Sequence, residues 1–213
     1  MERADALSLI RAHLPVSRET EARLDLYAEE LRRWSRAKNL VGPETLSRLW
    51  VRHIADSAQV LASAPDARRW VDLGSGAGFP GLVVAILLAD TQGADIRLVE
   101  SNGRKCAFLR AAARQAKAPA AVHCERIESF VAGWHKPVDV VSARALAPLS
   151  KLLDLAGPLI EAGAIGVFHK GQDVERELTE ASTCWKFSYK LIPSWTQSGS
   201  ALVILRDCER KTA

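Results

Sequence analysis

The sequence has little that would suggest a membrane, secreted or metal-binding protein. The longest apolar run in its 213 residues is the eight residues of Leu82–Ala89, whereas a membrane-spanning helix needs about 20. The first residues lack the basic start and apolar core of a signal peptide, which predicts a cytoplasmic protein. The four cysteines form no Cys-x-x-Cys pair, and the five histidines show no His-x-x-x-His spacing. We therefore expect no membrane partner and no metal.

The composition is that of one globular domain. Apolar residues make up 48% and charged residues 25% of the chain, which excludes disorder throughout. The net charge of +4 permits a polyanionic partner without requiring one. Locally, Arg97–Arg126 holds seven basic residues against Glu100 and Glu125, and it is the candidate basic patch. In a reducing compartment we expect free cysteines, with Cys106 and Cys124 as small buried side chains.

Residues 1–65 predict a helical cap, because apolar residues recur there at helical spacing. The cap could recognise a substrate or simply cover one edge of the following domain, and the pattern does not decide between these roles. The three apolar stripes are Leu7, Ile10 and Leu14; then Leu24, Tyr27, Leu31 and Trp34; then Trp50, Ile54, Ala58 and Leu61.

Residues 66–213 predict an α/β domain that forms one compact unit with the cap. Short apolar strands alternate with helical segments, which indicates a mainly parallel sheet covered on both faces. The last two strand-like runs differ, because a short loop joins them into an antiparallel hairpin at Lys186–Ile192 and Ala201–Leu205. The earlier predicted strands are Trp70–Leu73, Ile96–Val99, Ala120–Cys124, Val138–Val141 and Ala164–Phe168, and the helices are Phe79–Ala89, Arg104–Lys117 and Leu146–Leu155.

A glycine-rich loop, Asp72–Gly81, follows the first of these strands. Glycines permit a tight turn and let a ligand approach the backbone, and doubly wound folds bind nucleotides at this position. Glu100 ends the next strand, where its carboxylate can accept hydrogen bonds from two ribose hydroxyls. We therefore predict a nucleotide-type cofactor held by Asp72, Gly74, Gly76 and Glu100.

Two cofactors compete for this loop. Gly76–Gly81 matches the Gly-x-Gly-x-x-Gly dinucleotide fingerprint. The pattern Asp-x-Gly-x-Gly-x-Gly of Asp72–Gly78 also matches the first motif of S-adenosylmethionine-dependent methyltransferases, in which the acid serves the ammonium end of the methionine. The chain has no second domain for a hydride acceptor and no Tyr-x-x-x-Lys pair, and the C-terminal hairpin suits a seven-stranded methyltransferase sheet. These features favour S-adenosyl-L-methionine and a class I, Rossmann-like fold.

The loop after the fourth strand, Ser142–Ala145, limits which kind of atom can be methylated. It lacks the Asn-Pro-Pro-Tyr pattern of enzymes that methylate exocyclic amines, and no cysteine follows a proline as C5 methylation usually requires. A target with a usable lone pair, a hydroxyl or a ring nitrogen remains. No catalytic base is assigned, because alignment can supply much of the acceleration for such a target.

Several short motifs, taken together, resemble the RsmG (GidB) family of small-subunit ribosomal RNA guanine-N7 methyltransferases. Val41 and Arg104 depart from the family pattern, in which threonine and lysine are usual. The matching segments are Asn39-Leu40, Arg52–Ser57, Asp72–Gly81, Glu100-Ser101, Arg104-Lys105, Phe108-Leu109, Arg126–Glu128, Ser142–Ala145 and Lys170-Gly171.

The resemblance implies how the cofactor is held. Gly74 and Phe79 fall at the loop positions, Ile127 and Glu128 should flank the adenine, and Arg144 should lie by the methionine end. A guanidinium group carries a fixed positive charge into such a pocket. A solvated acid at a helix start is the other interpretation of Glu128.

The substrate that the resemblance implies is the guanine at nucleotide 527, in the 530 loop of 16S ribosomal RNA, presented as free RNA or within the 30S subunit to a monomeric enzyme. An S-adenosylmethionine-dependent enzyme acting on a small molecule or a protein is the alternative. Asn39 could read a base or cap a helix, and Arg52 and His53 could touch RNA, although their helical spacing favours an Arg52–Asp56 ion pair that packs the cap onto the core. The candidate phosphate contacts are Arg104, Lys105, Arg126 and Lys170.

Overall fold

The computed structural model describes residues 2–38 and 40–211. The chain starts with helical segments and then alternates strands with helices. The α-helices are α1 (Glu2–Arg11), α2 (Arg18–Lys38), α3 (Pro43–Ser47), α4 (Asp56–Ala62), α5 (Gly81–Leu87), α6 (Gly103–Gln115), α7 (Ile127–Gly133), α8 (Leu149–Glu161) and α9 (Val174–Ser182), and a π-helix spans Trp50–Ala55. The strands are β1 (Arg69–Leu73), β2 (Asp95–Glu100), β3 (Ala120–Cys124), β4 (Val140–Arg144), β5 (Ile165–Lys170), β6 (Trp185–Pro193) and β7 (Ala201–Arg210).

The seven strands form one sheet in the order β3-β2-β1-β4-β5-β7-β6. The first five strands are parallel, while β7 runs antiparallel to both β5 and β6. This confirms the expected fold class, a mainly parallel α/β sheet with a C-terminal antiparallel hairpin. Because β1, β2, β4 and β5 are parallel, their carboxyl ends meet at one edge of the sheet, which we call the carboxyl edge.

Side chains alternate between the two faces of the sheet, and each face carries its own apolar core. Trp70 and Leu98 point to the face that is covered by α1, α2, α4, α5 and α6. Val71 and Phe168 point to the opposite face, which is covered by α7, α8 and α9. The N-terminal helices therefore share one continuous core with the sheet. They end at Ala62, and the boundary that we place at residue 65 falls in the connection to β1.

The sequence-based boundaries need several corrections. The helix expected at Phe79–Ala89 begins only at Gly81, after Pro80, because the preceding glycines form turns. The helix expected at Leu146–Leu155 begins after Pro148 and continues to Glu161. Helices α3 and α9 have no counterpart in the prediction, and α7 enters it only through the helix start proposed at Glu128.

Two further expectations change. Cys106 is buried as expected, but Cys124 ends an outer strand and is exposed, so the expectation of a buried side chain there is wrong. The third N-terminal stripe is a π-helix followed by α4 rather than one α-helix. The wider turn changes the side-chain neighbours of Arg52, His53 and Asp56 from those that α-helical spacing predicts.

A glycine in α8 allows close packing against the C-terminal hairpin. A Cβ atom at Gly157 would lie 2.6 Å from Cη2 of Trp185, whose ring is buried. We expect Gly157→Val to lower the free energy of unfolding by about 2 kcal/mol, because the ring has no room to shift. Urea denaturation measures this change. Gly133→Val is the control, since a Cβ there meets nothing within 4 Å; an equal loss in both variants would contradict the packing argument.

Candidate active site

The glycine loop after β1 lies at the carboxyl edge. Gly74, Gly76 and Gly78 all have positive φ angles, of 67°, 56° and 98°. Such backbone is costly for residues with a Cβ atom. At Gly74 a Cβ would also lie 2.7 Å from Leu146 Cδ1. The backbone of the loop therefore lies close to the carboxyl edge of the sheet, as the glycine spacing predicts.

A cleft of about 390 Å³ opens beside this loop. That volume suits a small organic ligand, because such pockets run from roughly 300 to 1,000 Å³. Among the expected cofactor residues, Gly74, Glu100, Ile127 and Glu128 line the cleft, whereas Asp72, Gly76, Phe79 and Arg144 do not. Its other lining residues are Val99, Ser101, Lys105, Arg126, Ala145, Leu146, Ala147, Lys151 and Leu155.

Glu100 connects the second strand to the glycine loop. Its Oε2 accepts a hydrogen bond from the Gly76 amide at 2.9 Å, and its Oε1 accepts one from the Asn102 amide at 2.8 Å. Each carboxylate oxygen can accept a second hydrogen bond. Glu100 is thus positioned at the cleft by two backbone amides and retains acceptor capacity for a ligand.

Asp72 lies beneath the loop rather than in the cleft. The residue is 1% exposed, and its Oδ1 accepts a hydrogen bond from Ser142 Oγ at 2.7 Å. Burial raises the pKa of the Asp72 carboxyl from 3.8 to about 6, although the hydrogen bond from Ser142 acts in the opposite direction. Asp72 therefore joins β1 to β4 under the cleft, and the structure shows no direct opening from it to a ligand.

Tyr27 ties the N-terminal helices to the glycine loop. Its hydroxyl donates a hydrogen bond to the Ala77 carbonyl at 2.7 Å, and the whole side chain is buried. Its ring packs edge-on to Phe79, with 5.8 Å between ring centroids. The apolar stripe that contains Tyr27 predicts its burial but not its hydrogen bond to the glycine loop.

Arg144 turns away from the cleft toward the N-terminal helices. Its Nη2 donates to the Arg52 carbonyl at 2.8 Å and contacts His53 Nδ1 at 3.0 Å, and its guanidinium lies 5.9 Å from the Phe79 ring. Burial lowers the pKa of His53 to about 4, and the positive charge of Arg144 adds to this shift. His53 is therefore neutral near pH 7.

The expected Arg52–Asp56 ion pair is wrong. Asp56 instead pairs with Arg144 Nη1 at 3.4 Å and with His169 Nε2 at 3.3 Å. Its other oxygen accepts hydrogen bonds from Ser194 at 2.9 Å and Thr196 at 3.0 Å, both in the loop between β6 and β7. A single buried carboxylate thus connects the N-terminal helices, two strand ends and the C-terminal loop.

Three of the expected RNA contacts lie at the mouth of the cleft. Lys105 and Arg126 line it, and Arg104 is exposed one residue before Lys105. Lys151 on α8 also lines the cleft and was not predicted, because a single lysine in a helix carries no signal in the sequence.

Lys170 does not belong with these cations. Its side chain is only 6% exposed, and its Nζ donates to Glu177 and to the Ala147 carbonyl, each at 2.7 Å. Lys170 Nζ is thus already paired within the protein, and its contact with a phosphate stays a prediction. Asn39 lies outside the described residues.

Among residues 2–38 and 40–211, no group of three or more acidic, histidine or cysteine side chains could hold a metal ion. No helix in the same part of the chain is long and apolar enough to cross a membrane.

The sheet order, the reversed β7 and the glycine loop define a class I, S-adenosylmethionine-dependent methyltransferase fold. Solved structures of low identity share it. The chain resembles the O-methyltransferase from Bacillus cereus in complex with SAH, with a TM-score of 0.58 and 12% identity over 85% of this chain and 90% of that one. It also resembles a mutant of MtNAS in complex with S-adenosylmethionine, with a TM-score of 0.57 and 14% identity over 87% and 73% of the two chains.

Sequence comparison identifies the family within this class. The family model GidB, described as rRNA small subunit methyltransferase G, matches residues 20–201, and the chain belongs to this family. The chain is 51% identical to the ribosomal RNA small subunit methyltransferase G of Methylorubrum populi over 97% of both chains. It is also 51% identical to that of Bradyrhizobium sp. strain BTAi1 over 97% of this chain and 91% of the relative.

The contact between Tyr27 and the loop can be tested by removing one oxygen atom. Tyr27→Phe leaves the Ala77 carbonyl without its partner, and an unpaired buried acceptor costs about 1–3 kcal/mol. We expect the loop to be less well ordered and the affinity for S-adenosylmethionine, measured by calorimetry, to fall by about tenfold, which corresponds to 1.4 kcal/mol. Tyr189→Phe on the exposed face of β6 should change nothing. Equal affinities of Tyr27→Phe and wild type would refute the role.

The raised pKa of Asp72 predicts a pH-dependent stability. The folded protein binds a proton more tightly than the unfolded chain, so the free energy of unfolding falls as pH rises from about 4 to about 6. Asp72→Asn removes this loss. The stability of the variant relative to wild type should therefore increase over this interval, by on the order of 3 kcal/mol, and level off above it. Urea titrations at several pH values measure the difference; a constant difference would contradict the assignment.

Proposed function

We propose that this protein transfers a methyl group from S-adenosyl-L-methionine to N7 of guanine 527 in the 530 loop of 16S ribosomal RNA. Membership of the rRNA small subunit methyltransferase G family supports a ribosomal RNA substrate. The observation that carries the proposal further is the charge of the cleft lining, in which the cations Lys105, Arg126 and Lys151 outnumber the acids Glu100 and Glu128. Cations in this arrangement suit an RNA phosphate backbone.

The residues of the cleft fit S-adenosylmethionine. Glu100 offers carboxylate oxygens to the ribose hydroxyls, and the backbone at Ile127 and Glu128, where α7 begins, can flank the adenine. Gly74 leaves space at the floor of the cleft, which a Cβ atom would fill. Asp72 and Phe79 do not line the cleft, and Arg144 directly precedes Ala145, which does.

The bound cofactor supplies a methyl group activated on a sulfonium sulfur, and guanine N7 supplies the lone pair that displaces it. N7 carries no proton at neutral pH, so no side chain has to remove one. The work of the protein is then to align the base and to exclude competing acceptors, and alignment alone can contribute several kcal/mol to the rate. We accordingly assign no general base, and we propose that the enzyme acts in the cytoplasm as a monomer.

The alternative is a methyltransferase that acts on a small molecule or a protein. A small substrate would favour a closed pocket with few charges at its mouth. Here three cations line the cleft, and Arg104 adds an exposed charge beside Lys105. This distribution favours a polyanionic substrate.

A methylation assay with mapping of the product tests the proposal. We expect 16S RNA or 30S particles, prepared from cells that lack the enzyme, to accept one labelled methyl group from S-adenosylmethionine. Borohydride and aniline treatment should then cleave the RNA at the 530-loop guanine, because N7 methylation labilises that base. Gly74→Val is the inactive control, given its positive φ and the proximity of Leu146. Label at another base, or label only on protein or small molecules, would overturn the proposal.

A further inference from the structure

A second cavity at the carboxyl edge lies next to the cofactor cleft. It has a volume of about 220 Å³, less than the roughly 300 Å³ at which pockets for drug-sized ligands begin. Ala145 lines both cavities and has a positive φ of 50°, which is uncommon for a residue with a Cβ atom. Strained backbone of this kind concentrates at functional sites. The second cavity is thus adjacent to the place where a methyl group would be transferred.

Most of the residues that line the second cavity are polar, and two of them have hydrogen-bonding capacity left for a ligand. Arg144 and His169 have side chains that are 16% and 9% exposed, respectively. Within residues 2–38 and 40–211, the buried His169 Nδ1 has no partner, and the buried Arg144 Nη1 has only its 3.4 Å contact with Asp56, which leaves one of its two N–H groups free. An unpaired buried polar atom is costly and requires an explanation, of which a ligand is one.

Arg144 Nη1 and His169 Nδ1 have opposite hydrogen-bonding character. Arg144 Nη1 can only donate. His169 Nε2 lies 3.0 Å from the Asp56 carbonyl, which can only accept, so Nε2 carries the ring proton. Burial lowers the pKa of His169 to about 4, so the ring is neutral near pH 7 and its Nδ1 is an acceptor. Both residues line the cavity, so they can present one donor and one acceptor to a ligand that enters it.

We propose that this cavity receives the target guanine, with Arg144 donating to O6 and His169 accepting from N1–H. This inference rests on the proposed function and identifies the residues that select the base. Enzymes that modify a base take it out of its stack into a fitted pocket. Guanine has the acceptor O6 beside the donor N1–H, so its Watson–Crick edge pairs with this donor and acceptor while N7 stays free for methyl transfer.

The test compares base analogues in particles reconstituted with 16S RNA. Inosine keeps O6 and N1–H at the target position, whereas 2-aminopurine lacks both. Wild type should methylate guanine and inosine at similar rates and 2-aminopurine at least tenfold more slowly. His169→Ala should lower kcat/KM for guanine by about 10- to 100-fold and reduce this discrimination, because a good base contact contributes about 1–3 kcal/mol. His169→Gln, which keeps an acceptor oxygen, should restore part of the rate.

Two controls separate the cavity from the cofactor cleft. His135→Ala replaces an exposed histidine outside both cavities and should behave as wild type. S-adenosylmethionine affinity should be unchanged within about twofold in His169→Ala, because a contact made only to the base does not alter cofactor binding. If His169→Ala binds the cofactor poorly, or discriminates between the bases as wild type does, the proposal is wrong.

A second variant decides the question even if His169→Ala does not fold. Gly171 lines the cavity, is exposed, and has nothing within 4 Å of the position of a Cβ atom. Gly171→Trp should fill the cavity, abolish methylation and leave cofactor binding intact, whereas Gly133→Trp, at an equally open position on α7, should be active. Full activity of Gly171→Trp would overturn the proposal. If wild type itself does not methylate a guanine at N7, the proposed function fails as well, which separates the two failures.

Discussion

The buried carboxylate of Asp56 is the interaction on which the arrangement of the carboxyl edge depends. A carboxylate out of water must be paired and hydrogen-bonded, and removing one partner of a buried pair costs about 3–5 kcal/mol. Asp56 meets this requirement with Arg144 from β4, His169 from β5, and Ser194 and Thr196 from the loop between β6 and β7. Segments separated by up to 140 residues are therefore joined at one point. Together, the segments that contact Asp56 form the boundary between the N-terminal helices and the carboxyl edge of the sheet.

The two cavities at this edge differ in the groups that orient their lining residues. In the cleft, Gly74 has no side chain, and the Glu100 carboxylate is oriented by the backbone amides of Gly76 and Asn102. The smaller cavity is formed by side chains, whose orientation depends on Asp56. A cofactor that is the same in every turnover suits a rigid backbone cradle, whereas the choice of one base among four suits atoms of defined donor and acceptor character.

Much of the fold could be predicted from local pattern, and the candidate site only in part. The glycine spacing and the acid at the end of β2 place Gly74 and Glu100 at the cleft, because the carboxyl ends of neighbouring parallel strands must meet. The burial of Lys170 could not be predicted, since it depends on Glu177 in a helix that the prediction missed. Arg52 and Asp56 were misjudged because the π-helix changes the spacing of neighbours, and no residue type marks such a turn. Tyr27 and Ala77 are far apart in the chain, and no local pattern in a single sequence predicts that they form a contact.

The position of β7 has a consequence for the order in which the molecule can assemble. β7 follows β6 in the chain but lies between β6 and β5, so the outer side of β5 has no strand to pair with until β7 has been synthesised. His169 and Lys170 lie on that strand. During translation the five parallel strands can pair first. Until β7 is made, one edge of β5 has unpaired backbone groups and β6 has no neighbouring strand. The pairing of the strand that carries His169, and with it the wall of the second cavity, is therefore completed only in the last stage of synthesis.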